Sequence, residues 1–233
     1  MIRIKAVIAC LMLLVISNFA YAASSQDKPI SQYSNRELIE VFGKLLNEKV
    51  DFEQEKASKI QNELIKRRAV KETVELFQHK DNAIWTLGWC YQIFVKLRSP
   101  ETDKLLKPLA DKNRKEQSYF ANKYFAETGK KFALENLNAS YFNYPVSSLE
   151  WSEIVDLFGK YKYFSATKNI ISTINAASLN LAGASVEALE SMYPETKEGV
   201  ERIEKSHGGI DKEMTEIINY YSTYIKDHRG DNK

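Results

Sequence analysis

The run Ala83–Val95, reading A-I-W-T-L-G-W-C-Y-Q-I-F-V, constrains this chain more than any other stretch. Thr86 and Gln92 are its only clearly polar residues. A helix with one apolar stripe rests on a surface, whereas one that is apolar nearly all round must be covered on most sides. The run is too short to cross a bilayer, which takes roughly 17–25 residues. It therefore reads as the buried central helix of a soluble all-helical protein, its neighbours arranged to cover Trp85, Trp89, Cys90 and Phe94. Asp81 and Asn82 stand before it as N-caps, and Lys96 and Arg98 follow where a helix dipole favours positive charge.

Residues 1–22 read as a secretory signal: Arg3 and Lys5 form a basic head, Ala6–Ile16 an apolar stretch, and Ala20-Tyr21-Ala22 a small-x-small cleavage site. Two alternatives are a retained anchor, which the short apolar run disfavours, and a lipobox at Val7–Cys10, which has too little apolar chain before its cysteine. The compact form of the signal is bacterial in style and points to a periplasmic or secreted product. Loss of Arg3 and Lys5 brings the 33 basic side chains down to 31, equal to the 31 acidic ones. A neutral chain without a basic stripe argues against a nucleic-acid partner, and no polybasic run marks a membrane surface. No stable membrane insertion is expected after cleavage. Cys90 is then the only cysteine, so no intramolecular disulfide forms, and its apolar surroundings make it a buried, inert thiol.

The rest of the chain is punctuated by helix signals. Residues 23–33 are a polar, flexible lead-in. Ser34-Asn35-Arg36-Glu37 and Ser147 with Glu150 are capping boxes, and Ser99-Pro100-Glu101 combines an N-cap, proline at the first helical position and an early acid. Asp51 caps a second helix, and Gly129 is placed to end another in the left-handed conformation. Ser165 caps a helix running through Ile170, Ile171, Ile174, Ala177 and Leu181 to Gly183, and Ser185 caps the next. Gly208-Gly209 precedes a last helix at Asp211–Lys226, and residues 228–233 form a frayed tail. Almost no segment alternates with period two. The expected fold is all-α, a multi-helix array of about ten helices. Its parts are an N-terminal helical subdomain at 34–138, an aromatic loop at 139–148 and a C-terminal helical subdomain at 149–227.

Residues 81–129 resemble degenerate HEAT-type repeats, in which an aromatic-rich helix, a proline-bearing turn and a Leu-Leu helix alternate. The resemblance rests on Trp85-x-Leu87-Gly88, on Ser99-Pro100-Glu101 leading to Leu105-Leu106-x-Pro108-Leu109-x-Asp111, and on Ala121 with Phe125-Ala126 and Gly129. The usual Val-Arg pair of the second repeat falls on Gln117-Ser118, a departure. It implies a HEAT-like array; an irregular helical repeat accounts for the same pattern.

Motifs for chemistry are sparse. His79, His207 and His228 have no i, i+4 partner and there is no H-E-x-x-H or C-x-x-C, so no metal or cofactor is expected. His207-Gly208-Gly209 lacks an accompanying G-x-S-x-G nucleophile. Ser165-x-x-Lys168 and Ser178-x-Asn180 lie too close together for a penicillin-recognising site, and no K-T-G follows. Aromatic clusters remain, at Tyr141-Phe142-Asn143-Tyr144, at Tyr161, Tyr163 and Phe164, and at Tyr220, Tyr221 and Tyr224. Such rings finish cores, and they also anchor interfaces. Tyr141, Phe142, Tyr144 and Trp151 are the expected contact surface for a protein partner. The functional expectation is an exported, non-enzymatic protein-binding protein, most concretely a periplasmic immunity protein or inhibitor of a toxin or cell-wall-acting enzyme. The alternatives are a glycan- or peptidoglycan-binding module and an enzyme with a scattered site.

Overall fold

A computed structural model describes residues 28–47, 53–111, 115–141, 143, 147–175, 178–206 and 209–228. Among these residues the fold is all-α, with twelve α-helices, three short 3-10 turns and no strand. No helix among them is long and apolar enough to cross a membrane. The segment read as a signal, and Asp51 as a cap, lie outside the described residues. The chain divides into two compact units, residues 1–67 and 68–233, so the stretch 139–148 lies inside the second.

In the first unit, α1 (Asn35–Asn47) packs on α2 (Gln54–Lys66). The capping box forms as its residues dictate: the Ser34 N–H donates to Glu37 Oε2 at 2.6 Å and the Glu37 N–H to Ser34 Oγ at 3.2 Å. Leu38, Phe42, Leu45, Leu46, Ala57, Ile60 and Leu64 are buried. The end of the lead-in is tied down rather than free. A 3-10 turn at Ile30–Gln32 presents carbonyls to Arg67, whose guanidinium donates to Ile30 and Ser31 at 3.3 and 3.1 Å and also to Tyr33. Arg67 Nε meets Glu63 at 2.7 Å.

The second unit holds α3 (Val70–Phe77), α4 (Ile84–Lys96), α5 (Pro100–Ala110), α6 (Lys115–Ala126), α7 (Lys131–Ala139), α8 (Ser148–Lys160), α9 (Thr167–Thr173), α10 (Leu179–Met192), α11 (Lys197–Glu204) and α12 (Ile210–His228). Alternate helices stack in its first half: α3 packs on α5 and α4 on α6, while sequence neighbours α3 and α4, α5 and α6, and α6 and α7 also pair. In the second half α8 lies along α10, and α9 and α11 both meet α12. Gly159 makes the α8–α10 approach close, since a Cβ there would stand 2.8 Å from Ala188 Cα.

The most enclosed helix is α6, not the run at Ala83–Val95. In α4, Leu87, Cys90, Ile93 and Phe94 are buried, but Trp85 is 42% exposed and Trp89 only half-buried. Every residue of α6 from Gln117 to Ala126 is buried. Lys123 pairs with the Glu153 carboxylate, and the other polar members of α6 are hidden because they satisfy helix ends. Gln117 donates to the Phe77 carbonyl ending α3 at 2.8 Å. Ser118 Oγ and Asn122 Nδ2 donate to the Ala110 carbonyl ending α5, at 2.7 and 2.9 Å. Gln117-Ser118 is the pair that departs from the HEAT pattern, and both residues cap neighbouring helices through carbonyls.

Helix ends follow the sequence in most places. Ser99 Oγ accepts from the Thr102 N–H at 3.2 Å, and Ser147 with Glu150 forms the second capping box. Gly129 has φ +70°, with the Lys130 N–H bonded to Phe125 O and the Gly129 N–H to Ala126 O, a full Schellman stop. Four expectations fail. Ala83, not Asp81 or Asn82, is the N-cap of α4, and Asn82 instead donates to the Leu76 carbonyl at 2.5 Å. Ser165 lies inside the 3-10 turn Phe164–Ala166, and Ala166 is the N-cap of α9. The helix after Ser165 stops at Thr173, and a new one starts at Leu179 under a Ser178 cap, so Gly183 lies mid-helix. Ser185 is not a cap: it is fully buried inside α10, where its hydroxyl pairs with Thr173 Oγ1 at 2.6 Å and bonds the Leu181 carbonyl at 2.7 Å.

Candidate functional site

Of the four residues expected as a contact surface, the two that are described, Tyr141 and Trp151, are buried. Tyr141 is 8% and Trp151 4% exposed. Their rings meet edge to face at 4.6 Å, with Phe158 beside Tyr141 at 6.3 Å, and together they finish the core under α8. Burial pushes the Tyr141 hydroxyl up to about 12. Phe142 and Tyr144 lie outside the described residues.

One ring of the second aromatic cluster, Phe164, and one of the third, Tyr224, line a solvent-open groove of about 550 Å³ in the second unit. Three pieces build it: the 3-10 turn Phe164–Ala166 leading into α9, the end of α10 at Tyr193, and the last turns of α12. The first piece is delivered by the end of α8. There Lys162 adopts φ +47°, the Tyr163 N–H bonds Phe158 O at 2.9 Å and the Lys162 N–H bonds Gly159 O at 3.1 Å. This is a Schellman stop with lysine in the glycine position, and the Phe158 and Tyr163 rings supply its apolar contact at 5.6 Å. The next residue, Phe164, is thereby turned outward and is 40% exposed.

The groove floor is fixed by hydroxyls. Thr167 Oγ1 donates to the Phe164 carbonyl at 2.7 Å, which leaves it to accept from the Tyr193 hydroxyl at 2.9 Å. The Tyr193 ring meets Phe164 at 5.4 Å and Tyr224 at 5.8 Å, both edge to face. Tyr220, Tyr224 and His228 recur at i, i+4 and i+8 on α12. Tyr220 lies over Gly199, where a Cβ would collide with its ring. The Tyr224 hydroxyl donates to Glu195, and the His228 ring stacks on Tyr224 at 4.1 Å with Nδ1 2.8 Å from the Tyr224 carbonyl. His228 thus ends a helix and does not belong to a frayed tail; residues 229–233 lie outside the described residues.

The Tyr224 bond has two electrostatic consequences. It holds the Glu195 carboxyl below its ordinary range, and it raises the Tyr224 hydroxyl to about 12. Lys168 and Lys226 stand exposed at the lip, and among the described lining residues there is no carboxylate. The carboxyls pushed upward, Asp156 and Glu190, owe this first to burial, and neither lines the groove. Among the described residues no group of three or more His, Cys, Asp or Glu is placed to hold a metal ion. Cys90 is buried, and burial pushes its thiol up, away from the reactive thiolate.

Lys168, set aside as part of a chance Ser-x-x-Lys pattern, is a lip residue, and Tyr193 belonged to no cluster. Only the grouping of Phe164 and Tyr224 with other rings signalled this place in advance. Neither protein-family models nor curated proteins give a match to this chain.

Proposed function

We propose that this chain is an exported, non-enzymatic helical protein that binds another protein through the aromatic groove of its second unit. The observation that carries the reading is the convergence of Phe164, Tyr193 and Tyr224 on one solvent-open groove. Rings of this kind bury large area at low entropic cost and are over-represented where proteins dock. The alternate-helix stacking of α3 to α6 supports a HEAT-like character for the first half of the unit. The pattern of residues 1–22, read as a secretory signal, supports export to a periplasm or beyond. Within this class, an immunity protein or inhibitor of a toxin or cell-wall-acting enzyme is the most concrete form.

A glycan-binding module is the second reading, because an open groove with tyrosines is what such a module presents. Sugars stack flat on ring faces, however. Here the rings meet at 60–67°, and one face of Tyr224 is covered by His228. The geometry favours a side chain packed against ring edges over a sugar laid upon ring faces.

The test is affinity capture with tagged protein lacking residues 1–22, from the periplasm and secretome of the source cells. The expected result is one protein that forms a stoichiometric complex in size-exclusion chromatography with light scattering and whose enzymatic or toxic activity the complex suppresses. Retention on cell-wall or glycan resin with no protein complex would overturn the reading.

A further inference from the structure

The protein-binding reading leaves open what kind of segment the groove takes, and its charge distribution addresses that. We infer that the groove accepts an acidic peptide segment of the partner, with an apolar or aromatic side chain set between carboxylates; this rests on the protein-binding reading above. The apolar side chain has its place against the exposed Phe164 ring, in the groove that Phe164, Tyr193 and Tyr224 line. The carboxylates have theirs at the exposed lysines of the lining, Lys168 on α9 and Lys226 on α12. The nearby acid, Glu195, accepts the Tyr224 hydroxyl, and the described lining itself carries no carboxylate. Without residues 1–22 the chain is neutral overall, so two exposed lysines in a lining without carboxylates are a local excess and not a reflection of a basic protein. Complementary charge at a rim sets partner choice and association rate, while the ring contacts hold the segment.

The test is fluorescence anisotropy on the full chain lacking residues 1–22, with three labelled probes. One is a peptide in which aspartate and glutamate flank phenylalanine, the second is its lysine-flanked counterpart, and the third is a neutral chito-oligosaccharide. The acidic peptide is expected to bind, the basic one to bind at least tenfold more weakly, and the affinity to fall as salt rises. Lys168→Glu with Lys226→Glu is expected to weaken the acidic peptide by tenfold or more. Both side chains are exposed, so the variant keeps the wild-type circular dichroism and melting curve. Phe164→Ala weakens binding without altering its salt dependence, which separates the ring from the charges. Equal binding of both peptides, indifference to the double charge reversal, no binding of the acidic peptide, or binding of the sugar alone would each overturn the inference. The two levels separate in the capture experiment. If the double charge reversal retains the same stoichiometric partner, the acidic-segment assignment falls while the protein-binding reading stands; if the wild type captures no protein, the reading itself falls.

Discussion

Two glycines in the α8–α10 pair should answer to alanine with opposite signs. Mid-helix glycine costs roughly 0.5–1 kcal/mol relative to alanine. At Gly183 a new Cβ meets nothing within 4 Å, so Gly183→Ala should recover about that amount. At Gly159 the same Cβ would lie 2.8 Å from Ala188 Cα and 2.9 Å from its Cβ. Those atoms belong to a facing helix backbone, and no flexible side chain is available to swing aside. Over-packing of this kind costs about 1–3 kcal/mol, and a backbone neighbour puts it in the upper part of that range. Net of the helix gain, Gly159→Ala should destabilise by about 1–2 kcal/mol. For a unit of this size, roughly 2–4 °C accompanies each kcal/mol. The expected melting shifts are about −2 to −8 °C for Gly159→Ala and about +1 to +4 °C for Gly183→Ala. All three tryptophans, Trp85, Trp89 and Trp151, fall in the second unit, so tryptophan fluorescence follows this unit alone. A rise in melting temperature for Gly159→Ala would refute the close approach of α8 and α10.

Other perturbations probe helix ends. Lys162→Gly relieves the left-handed strain at φ +47° and should stabilise the second unit by about 1 kcal/mol, read as a higher urea midpoint at unchanged slope. Asn122→Ala removes bonds to Ala110 O, Ser118 O and Asn136, each worth about 1 kcal/mol, so with alanine's better helix propensity a loss of about 2 kcal/mol is expected in the same assay. The Ser34 N–H, then the Ser34 hydroxyl and Lys28, lower Glu37 from 4.5 to about 2. A depressed carboxyl stabilises above its unfolded value, so the α1 cap holds fully above about pH 4.5 and is lost as pH falls through 2. A carboxyl NMR titration should give a midpoint near 2, which Ser34→Ala raises only part-way because the backbone N–H remains.

Local signals in this sequence were readable and long-range ones were not. Ser34 with Glu37, Ser99 with Pro100, Ser147 with Glu150, and Gly129 all act within a few residues of themselves, and each does what its spacing implies. Ser185 and Ser178 exchanged roles because serine is equally suited to a cap and to bonding a carbonyl one turn back, and only the buried Thr173 partner decides between them. The weights of α4 and α6 were reversed for a related reason. Hydropathy counts Gln117, Ser118, Asn122 and Lys123 as surface, yet helix ends from α3 and α5 and the Glu153 carboxylate satisfy them inside. Trp85 counts as core, yet it stands in the open. The groove needed three segments drawn from residues 164 to 228, and no periodicity in one segment reports on the other two.

The Tyr224–Glu195 bond offers a way to separate charge from contact in the groove. Tyr224→Phe keeps the ring that meets Tyr193 and stacks on His228, and removes only the hydroxyl that Glu195 accepts. The Glu195 carboxylate is then released beside a lip whose exposed charges are Lys168 and Lys226. An exposed ion pair contributes about 0.2–1 kcal/mol, so competition for these lysines should weaken an acidic peptide by up to roughly five-fold at low salt. Charge competition is screened as ionic strength rises, whereas a lost hydrogen bond between Tyr224 and the peptide is not. The ratio of wild-type to variant affinity should therefore shrink toward one between about 50 and 300 mM salt, where the Debye length falls below 10 Å. Glu195→Gln should move in the opposite direction, strengthening the peptide while leaving a hydrogen bond for Tyr224. A ratio that stays constant with salt, or a Glu195→Gln variant that binds more weakly, would mean that the hydroxyl acts by direct contact and that the lip charges do not select the ligand.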